Sequence, residues 1–217
     1  MAYENLIRLA EVMNQLRSPG GCPWDAEQTH ESLLKYLLEE SYEFIESIES
    51  GNRQDMQEEL GDILLQVYFH SRIAQEDKDA PFTIDDVAKS VADKLISRHP
   101  HVFSDVAVSN SGDVLENWER IKKAEKGRTS AHDGVPTGQP ALPLAAKLVY
   151  RAMKNQLTTP AHPNDEMNLD ANLEEHVGAQ LLSLVSWAVA NDIDPEVALR
   201  KAALNFRAQM SAEEAKG

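Results

Sequence analysis

Five of the six acidic residues in two segments that are otherwise rich in apolar side chains are candidate site residues. They are Glu39, Glu40 and Glu43 in "YLLEESYEF" (36–44) and Glu59 and Asp62 in "EELGD" (58–62). If these segments are helical, Glu40 shares a face with Leu37 and Phe44, which is the face that packs. Burying a carboxylate is costly unless another group compensates its charge. Several such carboxylates at this spacing are typical of a site that binds a cation.

The short connection between the two segments predicts that these acids converge. Glycine ends the first helix at position 51 and the second begins at about residue 53, so the two helices are expected to be antiparallel neighbours. Four or five carboxylates would then meet in one half-buried place, where like charges repel. A divalent cation resolves this repulsion, and ligands that are all oxygen favour Mg²⁺ or Mn²⁺. The alternative is that each glutamate belongs to a solvated helix face.

A di-iron helical bundle is a second metal-binding alternative. Such bundles use two Glu-x-x-His motifs. The sequence offers one, formed by Glu27 and His30, and it lies just before the long helix. The sequence therefore favours Mg²⁺ over a di-iron centre.

Helical periodicity dominates the first part of the chain. The segment "ENLIRLAEVMNQLR" predicts a helix, and "RSPGGCPWD" breaks it. Thr29 is a suitable N-cap for a helix over about 30–49, and another long helix is predicted over about 53–76. No segment shows sustained alternation of apolar and polar residues, so the predicted fold is an all-α helical bundle.

The later helices are separated by a segment rich in Gly, Pro, Ser and Thr, which reads as a linker. Thr83 or Asp85 opens a helix that Pro100 stops, and "SGDVLENWERIKKAEK" predicts a shorter one. After the linker, helices are predicted at "LPLAAKLVYRAMKNQL" and, beyond the polar "TTPAHPNDEMN", over about 170–190 and 194–210. The predicted parts are a helical bundle over 1–126, a linker over 127–143 and a smaller helical part over 144–217.

Composition and charge restrict the class of protein. The 217 residues are 42% hydrophobic and 26% charged, and no apolar run reaches the ~20 residues that span a bilayer. The N-terminus has an early acid and no basic flank, unlike a signal peptide, and the single cysteine, Cys22, suits a reducing cytoplasm. The net charge of −15 repels phosphate backbones. We therefore expect a cytoplasmic protein that binds neither membranes nor nucleic acid.

Several motifs, in order, resemble those of one known enzyme family. The segments "GCPWDAEQTHESLLKYLLEESYEF", "EELGDILLQVYFHSRIAQE", "DKLISRHPHVF" and "NWERIKKAEK" are similar to the MazG family of nucleoside triphosphate pyrophosphohydrolases. The resemblance covers about residues 1–126 nearly without interruption. It implies the all-α NTP pyrophosphatase fold.

The resemblance also implies Mg²⁺- or Mn²⁺-dependent hydrolysis of nucleoside triphosphates to the monophosphate and diphosphate. By resemblance, Glu40, Glu43, Glu59 and Asp62 bind the metal, with Glu39 in support. A water of lowered pKa would attack the α-phosphorus, and Glu39 or Glu43 would take its proton. The family further implies a broad base range, the clearing of unwanted nucleotides, and a homodimer or higher homo-oligomer in which the partner chain supplies part of each site.

Cations and an aromatic residue are expected to bind the nucleotide. Lys94 and Arg98 lie at i,i+4 on one helix face and match a phosphate-binding pair of the family, the alternative being a solvated face. Lys122 and Lys126 form a second and weaker candidate pair. Trp118 matches a tryptophan of the family and would stack on a base.

Four further residues of reactive or aromatic type are assigned structural roles. Trp24 lies in a proline-containing turn, where packing is the expected role. His99 and His101 flank Pro100 at a helix end and are expected to form a cap and a packed turn. Cys22 lies in a tight turn without an evident base partner, so it is not expected to be a nucleophile.

After the linker the same motifs recur with their polar residues replaced. The segment "EEHVGAQLLSLVSWA" aligns with "EELGDILLQVYFHSR", and "ALNFRAQ" aligns with the region of "DKLISR". The replacements are His176 for Glu59, Ala179 for Asp62, Asn205 for Lys94 and Gln209 for Arg98. The apolar pattern stays, whereas a second Glu-Glu-x-x-Glu helix is largely missing. The second part is therefore predicted to be a degenerate repeat, which places any active site in the first part.

Two other functions compete with catalysis by a MazG-type enzyme. One is a non-catalytic protein whose first half senses nucleotides and whose second half serves assembly. The other is a phosphoribosyl-ATP pyrophosphohydrolase. Converging carboxylates favour catalysis over binding alone, and the segments "GCPWD" and "RHPHVF" favour a MazG protein over the second alternative.

Overall fold

The computed structural model describes residues 3–108, 110–127, 129–160 and 173–214, and these ranges contain helices but no strand. The helices are α1 (Glu4–Arg17), α2 (Pro23–Glu27), α3 (His30–Ser50), α4 (Arg53–Ala74), α5 (Ile84–Arg98), α6 (Pro100–Phe103), α7 (Ser111–Glu125), α8 (Ala141–Lys154), α9 (Leu173–Ala190) and α10 (Pro195–Glu214). The all-α prediction is confirmed. Within the described ranges, no helix combines the length and hydropathy needed to cross a membrane.

Helices α3 and α4 form an antiparallel hairpin with a turn of two residues. Thr29 and Ser32 close a capping box at the start of α3, which confirms the predicted cap. Gly51 ends α3 in the left-handed conformation at φ 71°, which glycine adopts without steric cost. The next residue, Asn52, caps α4: its side chain accepts hydrogen bonds from the backbone N–H groups of Gln54 and Asp55 at 3.0 and 3.4 Å. Helix α4 therefore begins without a longer loop. The two helices pack against each other.

Helix α5 starts at the first of its two predicted caps. The Thr83 side chain accepts a hydrogen bond from the Asp86 backbone N–H, and the Asp86 carboxylate accepts one from the Thr83 backbone N–H at 2.8 Å. Thr83, and not Asp85, is therefore the N-cap. The helix ends before Pro100, as predicted, and His99 Nδ1 lies 2.7 Å from the Leu95 carbonyl oxygen. That contact confirms the capping role of His99.

The core of the first half lies at the open end of the α3–α4 hairpin, away from the turn. Its buried side chains come from α1, the first turn of α3 and the second half of α4: Met13, Leu33, Tyr68 and Phe69. Trp24 packs edge-on against Tyr36 and Phe69, with ring centroids 6.0 and 6.5 Å apart, which confirms its packing role. Glu40 lies seven residues closer to the turn than Leu33, or about 10 Å along the helix axis. The carboxylates therefore lie outside this core.

Arg17 connects the end of α1 to α2 and to the end of α4. Its side chain is only 4% exposed, and its Nη1 donates hydrogen bonds to the carbonyl oxygens of Asp25 and Gln28. Its Nη2 forms an ion pair with Glu76 at 2.8 Å, and Arg72 contacts the other oxygen of Glu76 at the same distance. This network ties α1 and the residues just before α3 to the end of α4.

The chain divides into two compact units, residues Met1–Ile121 and Lys122–Gly217. In the second unit, α8, α9 and α10 pack around the buried residues Val149, Val185 and Ala188. Helix α8 begins at Ala141, inside the range assigned to the linker. Most of the polar segment "TTPAHPNDEMN" lies outside the described residues.

Candidate metal centre

Three of the five predicted carboxylates meet at the middle of the α3–α4 hairpin. Glu40, Glu43 and Glu59 each offer one oxygen, and these three oxygens lie within 4.8 Å of one another. Glu40 and Glu43 are at i,i+3 on α3 and so lie on neighbouring positions of one face. The tight turn at Gly51 folds α4 back and brings Glu59 opposite them. We call these three residues the carboxylate cluster.

The neighbours that act on the carboxylate cluster add negative charge to it. Burial raises the pKa of the Glu40 carboxyl above its ordinary value, and neighbouring negative charges raise it further. Those charges, in decreasing order of effect, are Asp62, Glu43, Glu59 and Glu39. Asp62 and Glu39 are therefore close enough to be felt at Glu40, although neither belongs to the carboxylate cluster.

The carboxyl of Glu59 is also disfavoured in its ionised form. Burial raises its pKa first, and the charges of Glu43, Asp62, Glu58 and Asp55 raise it further. Its Oε2 atom is buried and has no hydrogen-bond partner among the described residues. A buried carboxylate oxygen without a donor is costly, and a bound cation satisfies it. The residues present therefore fit a metal ion.

The donor atoms of the carboxylate cluster are all oxygens, which suits Mg²⁺ or Mn²⁺. No histidine of the described ranges belongs to a convergent group of three ligands. His30, the histidine of the Glu27–His30 motif, instead lies with its Nδ1 2.8 Å from His70 Nδ1. The geometry therefore does not support the di-iron alternative.

Two of the residues predicted to bind nucleotide are brought together. Arg98 is buried at the end of α5, and its guanidinium carbon lies 5.3 Å from the centre of the Trp118 ring. Lys94 is exposed on α5, where it lines a shallow cavity with Phe82 and Asp86. Lys122 lies on the last turn of α7 at the start of the second unit, so its part in nucleotide binding stays a prediction.

The described residues of the second unit hold no site comparable to the carboxylate cluster. His176 is half-buried on α9, whereas Ala179 on α9 and Asn205 and Gln209 on α10 are exposed. Among the described residues of this unit, no three His, Cys, Asp or Glu side chains converge. The metal-binding geometry is present in the first unit alone, as far as the described residues go.

The pair formed by His30 and His70 is a polar contact that the sequence does not predict. These residues are 40 positions apart and share no motif, so only the length and register of the hairpin bring them together. The helical spacing that found the carboxylates carries no signal for such a pair.

Comparison with known proteins assigns a family to the part of the chain that carries this geometry. A family model described as the MazG nucleotide pyrophosphohydrolase domain matches residues 28–103. The matched range contains α3, α4 and α5, and therefore all five predicted carboxylates together with Lys94 and Arg98.

Whole-chain relatives agree with this match. A Streptomyces cacaoi protein described as an uncharacterized 26.1 kDa protein in the blaB 3′ region is 47% identical over 96% of this chain and 82% of its own length. The nucleoside triphosphate pyrophosphohydrolase/pyrophosphatase MazG of Thermotoga maritima is 41% identical over 91% of this chain and 81% of its own. The nucleoside triphosphate pyrophosphohydrolase of Mycobacterium tuberculosis is 43% identical, and the match covers 94% of this chain and 56% of that protein. On this similarity, the chain belongs to the MazG family of nucleotide pyrophosphohydrolases.

Proposed function

We propose that this protein is a Mg²⁺-dependent nucleoside triphosphate pyrophosphohydrolase that converts a (d)NTP and water into a (d)NMP and diphosphate. The observation that carries the proposal is the convergence of Glu40, Glu43 and Glu59, with a buried and unpartnered oxygen on Glu59, in a chain of the MazG family. A protein that only sensed nucleotides would have little use for carboxylates held against their own repulsion.

The carboxylates serve as metal ligands and as proton acceptors in the proposed chemistry. Glu40, Glu43 and Glu59, with Asp62 one turn along α4 from Glu59, would hold the metal. Bound Mg²⁺ would neutralise triphosphate charge and make a nearby water more acidic. Glu43 and Glu39 are the exposed acids of the group, so either can accept the proton of the water that attacks the α-phosphorus while diphosphate leaves in line.

The nucleotide also needs cations and a flat surface from the chain. Lys94 is exposed and can reach a phosphate, whereas the buried Arg98 lies against Trp118. A half-buried tryptophan offers a stacking surface to any base, which supports a broad base range. A broad range suits an enzyme that clears unwanted nucleotides. The single cysteine supports a cytoplasmic location.

Assembly into a homodimer or larger oligomer is part of the proposal. Five large apolar side chains on α3 are 38–59% exposed: Leu34, Leu38, Tyr42, Ile45 and Ile48. Their spacing of three and four residues places them on one face of the helix, turned away from Glu40. We call this face the α3 stripe. A continuous exposed apolar stripe on a helix is typical of a protein–protein interface, and a second copy of the chain is the expected partner.

A panel of ribonucleotide and deoxyribonucleotide triphosphates, with damaged bases included, tests the proposed reaction. With Mg²⁺ present, we expect one diphosphate and one monophosphate per triphosphate consumed, and no release after the metal is chelated. Stoichiometric binding without turnover, in the presence of Mg²⁺ or Mn²⁺, would instead support the nucleotide-sensing alternative. Release of orthophosphate would contradict attack at the α-phosphorus.

A further inference from the structure

Two histidines face each other at the open end of the α3–α4 hairpin. His30 is in the first turn of α3 and His70 is on the second half of α4. Their rings are parallel to within 4°, with centroids 5.1 Å apart, and their Nδ1 atoms are separated by 2.8 Å. That separation is a hydrogen bond, which needs a proton on one Nδ1 and none on the other.

The surroundings of His70 decide which ring donates. His70 Nε2 is buried and has no hydrogen-bond partner among the described residues, whereas His30 is exposed. A proton on His70 Nε2 would be a buried N–H without an acceptor, which is costly. His70 therefore carries its proton on Nδ1 and donates it to the bare Nδ1 of His30, whose own proton is on Nε2.

This arrangement tolerates no additional proton. A proton added to His30 enters at Nδ1 and sets two N–H groups against each other across 2.8 Å. A proton added to His70 enters at Nε2 and creates a charged, buried donor without an acceptor. Moving the His70 proton from Nδ1 to Nε2 leaves the same unpaired donor. The bond therefore requires that both rings are neutral.

Five charged groups lie near the pair or next to the groups that line its surroundings. They are Glu31 on α3, Arg72 on α4, Glu76 and Asp77 after α4, and Arg17 on α1. Hydrogen bonds hold the pKa values of Glu31, Glu76 and Asp77 below their ordinary values, chiefly from backbone N–H groups for Glu31 and Asp77 and from Arg17 for Glu76. The carboxyls of Glu31, Glu76 and Asp77 therefore stay ionised between about pH 7.5 and 5, so they do not add to a pH effect that comes from His70.

We propose that His30 and His70 form an acid-sensitive clasp that fastens the open end of the α3–α4 hairpin only while both imidazoles are neutral. The clasp lies about 15 Å along α3 from Glu40, so it is separate from the carboxylate cluster but ties the same two helices. This proposal does not depend on the proposed enzymatic reaction.

The direction of the pH effect follows from the His70 environment. Burial, and secondarily the His30 charge, lowers the pKa of His70 in the folded chain. A histidine whose pKa is lowered by folding contributes stability that is complete above its unfolded pKa of about 6.5 and is lost as the pH falls below it. Acid should therefore open the clasp.

The tautomer provides a test that needs no substitution. The ¹⁵N chemical shifts of the histidine rings in the intact protein at pH 7.5 distinguish a protonated ring nitrogen from a bare one. We expect His70 to show a protonated Nδ1 and a bare Nε2. A proton on His70 Nε2 would overturn the proposal.

Thermal unfolding between pH 7.5 and 5 tests the clasp itself. In the double variant His30→Asn/His70→Asn, the amides replace Nδ1 with groups that hydrogen-bond without titrating. We expect Tm of the wild type to fall by about 2–4 °C more than that of the double variant over this range. The control His132→Asn removes a histidine bonded to Ser130 at 2.8 Å and should keep the wild-type pH dependence. Equal pH dependence in wild type and double variant would overturn the proposal, and if the double variant does not fold, the His70 tautomer decides.

Discussion

At the scale of single residues, Glu40 and Glu59 show how the carboxylate cluster lowers the stability of the metal-free chain. Both carboxyls have raised pKa values because burial and like charges disfavour their ionised forms. A raised pKa in the folded state means that the metal-free protein loses stability as the pH rises from about 4.3 through the raised value. At neutral pH these residues therefore work against folding until a cation binds.

This loss of stability predicts that one substitution changes Tm differently in the presence and in the absence of metal. Glu59→Gln removes a charge from the carboxylate cluster and keeps the side-chain shape. We expect Tm of the metal-free variant at pH 7 to rise by a few degrees, and the stabilisation of the wild type by Mg²⁺ to be lost in the variant. Thermal unfolding with Mg²⁺ and with chelator measures both effects.

Glu46→Gln is the matched control for that comparison, because Glu46 is exposed on α3 and outside the carboxylate cluster. Its Tm should respond to Mg²⁺ as the wild type does. A metal-free Glu59→Gln protein that is less stable than wild type would show that Glu59 is a structural residue.

The sequence predicts that these acids lie close together because helical spacing determines which side chains share a face. Glu40 next to an apolar face and the turn at Gly51 were enough to predict that α3 and α4 bring acids together. Helical spacing also predicts that Asp62 lies with the others. In the structure Asp62 lies outside the group of three, and its charge raises the pKa values of Glu40 and Glu59. Spacing gives the face of a side chain but not the position of its oxygens.

At the scale of elements, local chemistry explains which boundaries could be predicted. Thr29 and Gly51 were predictable because a capping hydroxyl and a left-handed glycine are specific signals. Thr83 and Asp85 could not be separated, since both are good caps and the decision rests on the bond to Asp86. Helix α8 begins at Ala141, one residue before the predicted segment, and Pro143 lies in its first turn, where the missing N–H has no role.

The α3 stripe gives a prediction at the same scale. Leu38 is 59% exposed, so Leu38→Glu should leave the folded chain intact and place charges in the proposed interface. We expect sedimentation equilibrium to show a dimer or larger species for the wild type and a shift toward monomer for the variant.

Val12→Glu on α1 is the control, since Val12 is also exposed at 42% and lies outside the α3 stripe. It should sediment as the wild type does. A monomeric wild type, or a Leu38→Glu variant with unchanged mass, would contradict assembly through this face.

At the scale of the whole molecule, the two units differ in the acidic side chains that they bring together. The first holds the carboxylate cluster, and the second retains a packed helical core around Val149 and Val185 without a convergent group of ligands among its described residues. We propose that the second unit is a degenerate repeat of the first, and in such a repeat the apolar pattern forms a helical unit without the acids. This comparison within one chain supports a chemical role for the acids of the first unit.

The activity of Glu59→Gln is the most direct test of that role. Diphosphate release from a dNTP with Mg²⁺ is compared among wild type, Glu59→Gln and Glu46→Gln. We predict that Glu59→Gln loses at least about 100-fold in rate, because removing a metal ligand costs no less than removing a group that orients one, while Glu46→Gln keeps the wild-type rate. Wild-type activity in Glu59→Gln would contradict the assignment of the carboxylate cluster as the catalytic metal centre.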